Sequence, residues 1–295
     1  MENTERFDVV IIGTGPAGIS AAITLKIRNK KILLIGSAAS SEKLLKANEI
    51  QNYPGFPNIS GSDLQKKFLS HLDAMQIKIT EGKVNAVFSM GDYFGLQTSI
   101  GMLESSAIII ATGVSPAKMF TGEKEFLGRG VSYCATCDGA LYKNKTVAVV
   151  GYRASEENEV AFLSELASKV FYFPMYAGDV EFKNSNANKI EIVREVPSEV
   201  RGEKFVRSLC TNKNEYQLDG IFILRSSMQP SQLLSGIAMR DNHIDVNREM
   251  QTNIAGCFAA GDVTGLPYQY VKAAGEGNVA ALSAVSYLAK INSAK

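Results

Sequence analysis

Two cysteines separated by two residues are the strongest chemical feature of this chain, in the segment CATCDG that begins at Cys134. Thiols at this spacing can close a small disulfide and open it again, so Cys134 and Cys137 can hold and release two electrons. Such a dithiol needs an electron source or sink, which a cofactor bound elsewhere in the chain could provide.

Zinc binding and a structural disulfide are the alternatives for Cys134 and Cys137. Structural zinc usually takes four nitrogen or sulfur ligands in two close pairs, whereas the other two cysteines are isolated and the chain has 2 histidines. A purely structural disulfide is disfavoured in the reducing compartment that we expect. Cys210 and Cys257 lie in strand-like runs and are predicted to be small buried residues.

Composition narrows the class of protein. The chain has 295 residues, 45% of them apolar, which is enough for well-packed cores and about two domains. Its formal net charge of +1 gives no indication of nucleic-acid binding. No apolar run approaches the roughly 18 residues of a membrane-spanning helix, and residues 1–8 are polar, unlike a signal peptide. We therefore predict a soluble cytoplasmic protein that binds no membrane.

A glycine-rich turn near the start of the chain predicts a dinucleotide site. The run Phe7–Ile12 is short, apolar and β-branched, as in a buried parallel strand. The turn GTGPAG follows at Gly13, and then come a helical pattern to Leu25 and a second apolar run, Lys31–Ile35. A strand, G-x-G-x-x-G, a helix and a strand in this order form the dinucleotide-binding fingerprint.

Each glycine of this turn has a separate task. Gly13 permits the tight turn, Gly15 lets the backbone approach a pyrophosphate, and Gly18 lets the helix pack on the strand. The helix N-terminus supplies free N–H groups for the phosphate charge. The acidic residue expected about 20 residues later, which would hold a ribose hydroxyl, is missing, and Gly36-Ser37 occupies its place. We expect the adenosine end to be held differently, by Ser37 or through water.

The remaining patterns predict a first nucleotide-binding domain that is split around an inserted second one. The expected helices cover residues 62–74, 155–167 and 273–288. The expected strands are 83–88, 93–98, 106–110, 146–150 and 170–173, and three further runs, 189–194, 204–211 and 215–224, alternate like antiparallel strands. We place the first domain at residues 1–113 and 241–295, and the second at residues 114–240.

Six segments together resemble the low-molecular-weight thioredoxin reductases and their flavoprotein relatives. They are GTGPAG at Gly13, NYPGFP at Asn52, IIIATG at Ile108, GVSYCATCDG at Gly130, FAAGDV at Phe258 and AAGEG at Ala273. The resemblance covers nearly the whole chain and implies an α/β fold with two doubly wound domains, FAD in the first domain, and a homodimer.

The resemblance also implies which residues surround FAD. Asp262 would bind the ribityl chain, whereas Asn52-Tyr53 and Gln269-Tyr270 would lie near the flavin ring. The full set of implied contacts is Gly13, Gly15, Pro16, Ala17, Gly18, Gly36, Ser37, Asn52, Thr112, Gly113, Gly261, Asp262, Gln269 and Tyr270.

A second glycine turn departs from the pattern of the relatives that use NADPH. It reads GYRASE from Gly151, with Tyr152 where pyrophosphate must meet bare backbone and with Arg153 and Glu156 at the other positions where small residues are expected. The next strand ends in Pro174-Met175-Tyr176, without the cationic residues that a 2′-phosphate needs. This combination resembles the ferredoxin-dependent flavin thioredoxin reductases, which take single electrons from ferredoxin. An NADPH site in which Arg153 is an unusual phosphate clamp is the alternative.

By that resemblance, the dithiol passes electrons from the flavin to thioredoxin. Cys137 faces the flavin, Cys134 is the thiolate that attacks the disulfide of thioredoxin, and Asp138 is the general acid for a leaving thiolate. Alternatively, Asp138 only caps the turn before Gly139. An acidic ferredoxin would bind basic segments, of which the candidates are Lys26–Lys31, Lys43 with Lys46, and Lys66-Lys67.

Three other functions stay open at this point. They are an ordinary NADPH thioredoxin reductase, a flavin dithiol oxidase that passes electrons to oxygen, and a non-catalytic redox sensor with bound FAD. The match of CATCDG to the reductase pattern argues against the last two.

We also expect Val114–Phe120 and Met239–His243 to be hinges between the domains.

Overall fold

The chain forms two compact units in a computed structural model. The structure describes residues 6–38, 42–45, 47–114, 119–182, 186–224 and 230–293, with the backbone alone for residues 42 and 43. The first unit consists of Met1–Val114 and Gln229–Lys295, and the second of Ser115–Met228. The boundary expected at residue 241 was therefore placed too late.

The segment 230–240 belongs to the first unit because its apolar side chains are buried there. Leu233, Leu234 and Ile237 lie in the core that covers one face of the first unit's sheet. Leu234 also makes a parallel bridge to Val87. The sequence pattern did not show these contacts, since they join positions far apart in the chain.

A seven-stranded sheet forms the centre of the first unit. Six strands follow one another in the order Ile79–Glu81, Ile32–Gly36, Phe7–Ile12, Gly101–Ile110, Phe94–Thr98 and Val84–Ser89. The first four are parallel to one another and the last two complete an antiparallel meander. Cys257–Ala259 pairs in parallel with Ile108–Ile110, next to the end of the long strand. The apolar run at residue 7 is thus a buried parallel strand with the predicted bounds.

Two long helices cover one face of this sheet. The helices described in the first unit are Pro16–Ile27, Glu42–Leu45, Gly61–Ala74, Pro230–Leu233 and Tyr270–Ser293, with a 3₁₀ turn at Asp262–Thr264. The first and last of these helices pack together on the sheet through small residues. A Cβ on Gly277 would lie 2.0 Å from the carbonyl oxygen of Ala17, so only glycine allows the helices to approach this closely.

The second unit is built on a five-stranded parallel sheet. Its strands follow one another in the order Ile190–Ile192, Lys169–Pro174, Thr146–Gly151, Gly220–Leu224 and Val131–Ser132. An antiparallel sheet of Pro197–Gly202, Val206–Thr211 and Glu215–Gln217 completes the unit. Its helices are Ala135–Asp138 and Glu157–Leu166, with 3₁₀ turns at Gly139–Tyr142, Ala154–Glu156 and Ala187–Lys189. Separate apolar clusters cover the two faces of the parallel sheet.

Two expectations about the second unit were wrong. The run at residues 189–194 pairs in parallel, and the run at residues 215–224 divides between the two sheets. An alternating pattern shows which face of a strand is buried, but the direction of its neighbour depends on distant residues. The strand Pro197–Gly202 was not predicted.

The expected hinges have different outcomes. Residues 115–118 of the first hinge lie outside the described part of the chain. The second is wrong, because Met239–Arg240 and His243–Ile244 form a hairpin inside the first unit, with Ile244 buried in its core.

None of the described helices is long and apolar enough to cross a membrane.

Candidate active site and nucleotide-binding turns

The two cysteines of the CATCDG segment form a disulfide in the second unit. Cys134 and Cys137 are bonded to each other, at the start of the short helix Ala135–Asp138. The parallel strand Val131–Ser132 leads directly into this helix, so the dithiol lies at the carboxyl end of a strand. The backbone N–H of Cys137 donates to Sγ of Cys134 at 3.1 Å. That donor would stabilise a negative charge on this sulfur after reduction.

Asp138 is held by a side chain of the preceding strand. Its Oδ2 accepts a hydrogen bond from the hydroxyl of Ser132 at 2.6 Å. The backbone N–H of Asp138 donates to the carbonyl oxygen of Cys134 at 3.3 Å. The carboxylate is therefore bound to the segment that carries the dithiol. Ser132 was not singled out in the sequence, because only the fold shows this contact across six positions.

The remaining cysteines, Cys210 and Cys257, are buried, as predicted. Burial raises the pKa of the Cys210 thiol, and it raises the pKa of Cys257 to about 12. In the part of the chain that the structure describes, no group of three His, Cys, Asp or Glu side chains could hold a metal ion.

The first glycine turn is shaped for close approach of a phosphate. Gly13 has φ +118°, and a Cβ there would lie 2.3 Å from the carbonyl oxygen of Ala111. A Cβ on Gly18 would lie 1.9 Å from the carbonyl oxygen of Gly13, whereas a Cβ on Gly15 would meet no atom within 4 Å. The helix that begins at Pro16 has no acidic residue in its first turn. The open space beside Gly15 and the uncharged helix N-terminus form a cradle that fits the pyrophosphate of FAD.

The fold brings several of the expected FAD residues together in pairs. Four pairs of them, or of their direct neighbours, are in close proximity: Gly13 with Thr112, Gly36 with Thr14, Gly261 with Ala17, and Asn52 with Gln269. In the last pair the amide of Asn52 donates to Oε1 of Gln269 at 2.8 Å. The hydroxyl of Thr14 donates to the carbonyl oxygen of Ser37 at 2.8 Å. This bond holds the Gly36-Ser37 segment, which stands where the ribose-binding acid of the fingerprint is expected.

Gly113 and Tyr270 are two further residues of the expected FAD site. Gly113 follows Thr112 with φ +69°, and a Cβ there would meet no atom within 4 Å. Tyr270 is the first residue of the C-terminal helix, and it packs against a cluster that contains Leu44, Ile50 and Leu64.

A buried ion pair that was not predicted from the sequence fixes the turn around Asp262. Lys272 donates to the carbonyl oxygens of Gly265 at 2.7 Å and Gly261 at 3.1 Å, and its Nζ lies 3.2 Å from Oε2 of Glu276. Glu276 accepts in turn from the backbone N–H of Gly261 at 2.9 Å. Both charged side chains are about four-fifths buried, at 19% and 20% exposure. They tie both ends of the turn to the C-terminal helix.

The second glycine turn is closed by its own carboxylate. Oε2 of Glu156 accepts from the backbone N–H groups of Tyr152 at 2.6 Å and Arg153 at 3.1 Å. These are N–H groups of the kind that a nucleotide phosphate would need. The ring of Tyr152, which we expected to obstruct the site, packs instead against the core of the unit. The main obstruction is therefore Glu156, an acid at the place of a phosphate.

The loop after the following strand contains Tyr176, and one cationic side chain from elsewhere in the chain, Arg194, reaches it. The hydroxyl of Tyr176 donates to Glu157, and burial followed by this hydrogen bond raises the pKa of Tyr176. Arg194, which the sequence reading did not consider, lies at this loop. Its guanidinium donates to the carbonyl oxygens of Tyr176 at 3.1 Å and Gly178 at 2.6 Å.

Of the basic segments, Lys26 and Arg28 are exposed. Lys66 forms an exposed ion pair with Asp63 at 2.9 Å. Lys46 and the side chain of Lys43 lie outside the described residues.

Comparisons with known proteins agree with this geometry. The family model described as pyridine nucleotide-disulphide oxidoreductase matches residues 7–277. The chain is 32% identical over 308 residues to a thioredoxin reductase of Bacillus subtilis (strain 168), covering 99% of this chain and 98% of that protein. A crystal structure of a ferredoxin-flavin thioredoxin reductase from Clostridium acetobutylicum is 51% identical, with a TM-score of 0.91 and coverage of 98% and 99%. A thioredoxin reductase structure from Gloeobacter violaceus is 28% identical, with a TM-score of 0.78 and coverage of 98% and 95%.

Proposed function

The chain belongs to the pyridine nucleotide-disulphide oxidoreductases, as a flavoprotein disulfide oxidoreductase of the thioredoxin reductase family, and from this membership we propose that it reduces thioredoxin with electrons from ferredoxin. FAD is the cofactor of this family. Within the proposal, Cys134 and Cys137 form the redox-active pair and Asp138 is the general acid.

One observation supports ferredoxin over NADPH as the donor. The N–H groups of the second glycine turn are already bonded to Glu156, in a chain 51% identical to a ferredoxin-flavin thioredoxin reductase. A dinucleotide would have to displace this carboxylate and leave its own phosphates beside Glu156 and Glu157. Like charges in such a position disfavour binding.

FAD, when bound, supplies a group that accepts electrons singly and delivers them in pairs. The residues of the first unit bind and orient it. The turn at Gly13, with the helix that begins at Pro16, would hold the pyrophosphate, and Asp262 would hold the ribityl chain. Asn52 and Gln269, which are bonded to each other, would lie at the ring.

The dithiol completes the reaction by thiol–disulfide exchange. Reduction of the Cys134–Cys137 disulfide takes two electrons and two protons. The thiolate of Cys134 then attacks the disulfide of thioredoxin, forms a mixed disulfide and expels a thiolate, which takes a proton from Asp138. The thiolate of Cys137 attacks the mixed disulfide, expels the second thiolate of thioredoxin and restores the original disulfide.

We also propose the compartment, the oligomeric state and the ferredoxin-binding residues of the protein. It acts as a cytoplasmic homodimer, with FAD in the first unit and the dithiol in the second. An acidic ferredoxin binds exposed basic residues of the first unit, for which Lys26, Arg28 and Lys67 are the candidates among the described residues.

An anaerobic reconstitution tests the proposal. The purified protein is mixed with photochemically reduced ferredoxin and oxidised thioredoxin, and the free thiols of thioredoxin are counted after alkylation. We expect thiols to accumulate over many turnovers with ferredoxin and none above background with NADPH. Rapid bleaching of the flavin by NADPH, or no thioredoxin thiols with ferredoxin, would overturn it.

A further inference from the structure

The hydroxyl of Ser132 lies at the centre of the hydrogen bonds around the dithiol. The side chain is buried, with 4% of the residue exposed. Its Oγ lies 2.6 Å from Oδ2 of Asp138 and 3.2 Å from the carbonyl oxygen of Cys134, and it accepts from the backbone N–H of Cys134 at 3.1 Å. The hydroxyl has a single proton to donate. It donates to Oδ2 of Asp138, because this contact is the shorter of the two and a carboxyl oxygen of Asp is a stronger acceptor than a backbone carbonyl oxygen. Ser132 therefore links the N–H of Cys134 to the carboxylate of Asp138.

This arrangement does more than satisfy a buried hydroxyl. The carbonyl oxygen of Cys134 alone would be a sufficient partner for Ser132. The strand pairing of Ser132 with Phe222 uses backbone groups and does not need the side chain. The hydroxyl instead fixes the orientation of the carboxyl group relative to Cys134, because it joins the strand before the disulfide to the helix residue after it and contacts neither sulfur. This contact is therefore kept when the bond between the sulfurs opens.

We propose that Ser132 is a positioning residue for disulfide exchange and acts through Asp138. It holds the carboxyl group where a thiolate expelled by Cys134 receives its proton. In that step the S–S bond of the acceptor breaks, a new S–S bond to Cys134 forms, and a proton carried on Oδ1 of Asp138, the oxygen that does not accept from Ser132, goes to the departing sulfur. The inference rests on the role of Asp138 in the proposed function, but not on the electron donor.

The leaving group provides a direct test. An aliphatic disulfide such as hydroxyethyl disulfide expels a basic thiolate, which gains from protonation, whereas a nitrobenzoate disulfide expels a thiolate that is stable without a proton. The holoprotein is reduced with dithiothreitol, desalted under nitrogen and mixed with either disulfide. The remaining protein thiols are counted over time, for the wild type, Ser132→Ala, Ser132→Thr, Asp138→Asn and the double variant Ser132→Ala with Asp138→Asn.

The expected result depends on both the leaving group and the background. Asp138→Asn should slow exchange with the aliphatic disulfide about a hundredfold, and Ser132→Ala about tenfold. The double variant should be no slower than Asp138→Asn, within about twofold, because the hydroxyl acts only through the carboxylate. Ser132→Thr keeps the hydroxyl and should recover to within about threefold of the wild type. Exchange with the nitrobenzoate disulfide should change by less than about twofold in all variants.

A matched control separates position from burial. Ser208 is also buried, and its hydroxyl donates to the carboxylate of Glu215 in the antiparallel sheet. Ser208→Ala should leave both exchange rates unchanged. Slowing by Ser132→Ala that adds to that of Asp138→Asn, or that is equal for both disulfides, would overturn the inference. An Asp138→Asn variant with no leaving-group dependence would instead overturn the assigned role of Asp138.

Discussion

At the scale of single residues, the two cysteines of the dithiol differ in their surroundings. Sγ of Cys134 accepts the N–H of Cys137 at 3.1 Å, and this donor favours the thiolate at Cys134. We expect the Cys134 thiol in Cys137→Ser to be alkylated by iodoacetamide at neutral pH about tenfold faster than the Cys137 thiol in Cys134→Ser. Mass spectrometry of quenched samples measures both rates. The opposite order would assign the exchange role to Cys137.

The buried thiols give a second prediction, on pH dependence. Burial raises the pKa of Cys257 to about 12, with the Thr252 hydroxyl acting in the opposite direction. At pH 8 the reduced native protein should therefore expose two reactive thiols, and all four after unfolding. Because only the unfolded chain ionises Cys257 above its ordinary pKa of about 8.5, this thiol makes the folded state less stable as pH rises from there. Thiol counts with and without denaturant, and unfolding midpoints at pH 7 and 9.5, check both statements.

Sequence reasoning at this scale found the residues with reactive groups and missed those that act through contacts. Cys134, Cys137 and Asp138 stand in one short segment with a recognisable spacing. Ser132 is in the same segment, but its role follows only from the folded hydrogen bonds. Glu156 could have been recognised as a cap, since an acidic residue three positions after the start of a helix accepts backbone N–H groups. The sequence indicated Glu156 only as a residue at a position where a small side chain is expected, and Tyr152 was expected to obstruct the site because its size was considered before its direction.

At the scale of elements, the Lys272–Glu276 pair predicts how firmly FAD is held. The pair fixes the turn at residues 261–265, so its loss should loosen the site of Asp262. We expect Glu276→Gln to weaken FAD binding by the deflavinated protein about tenfold, or about 1.4 kcal/mol. Quenching of flavin fluorescence on titration measures the dissociation constant.

A control for this prediction is Lys66→Met, which breaks the exposed pair with Asp63 and should leave FAD affinity unchanged. An unchanged dissociation constant in Glu276→Gln would show that the turn keeps its shape without the pair. The thermal midpoint of the FAD-free Glu276→Gln protein should fall as well, because Lys272 loses the partner of its largely buried charge.

The elements themselves were predictable where a local pattern was strong. The strand Phe7–Ile12 has the bounds that its apolar run indicated, and the helix Gly61–Ala74 starts one residue before the predicted start. Ser60 accepts the N–H of Asp63 and caps this helix. The strand Pro197–Gly202 was missed because two register shifts interrupt its pairing with Val206–Thr211, so its pattern does not alternate regularly.

At the scale of the whole molecule, the continuity of the second unit allows a test of its independence. Residues 115–228 form one uninterrupted segment with apolar clusters on both faces of its sheet. We expect this fragment to fold alone, to unfold cooperatively and to contain the Cys134–Cys137 disulfide. Circular dichroism, dispersed amide NMR signals and a thiol count check the three properties.

The matched control is the same fragment with Phe222→Ala. The ring of Phe222 is fully buried, and its loss should cost about 3–5 kcal/mol and prevent folding. A wild-type fragment with collapsed NMR dispersion would show that the second unit needs the first.

The order in which the two units can fold during synthesis follows from the discontinuity of the first unit. The strand Cys257–Ala259 and the helix Tyr270–Ser293 complete a sheet whose other strands precede residue 115. On the ribosome, the second unit can therefore finish folding while the first still lacks a strand and its covering helix. The apolar side of Pro16–Ile27 stays exposed until the last residues emerge, and at roughly 5–20 residues per second that delay is on the order of tens of seconds. A nascent chain stalled before residue 257 should consequently bind chaperones through its oldest part, although its middle is already native.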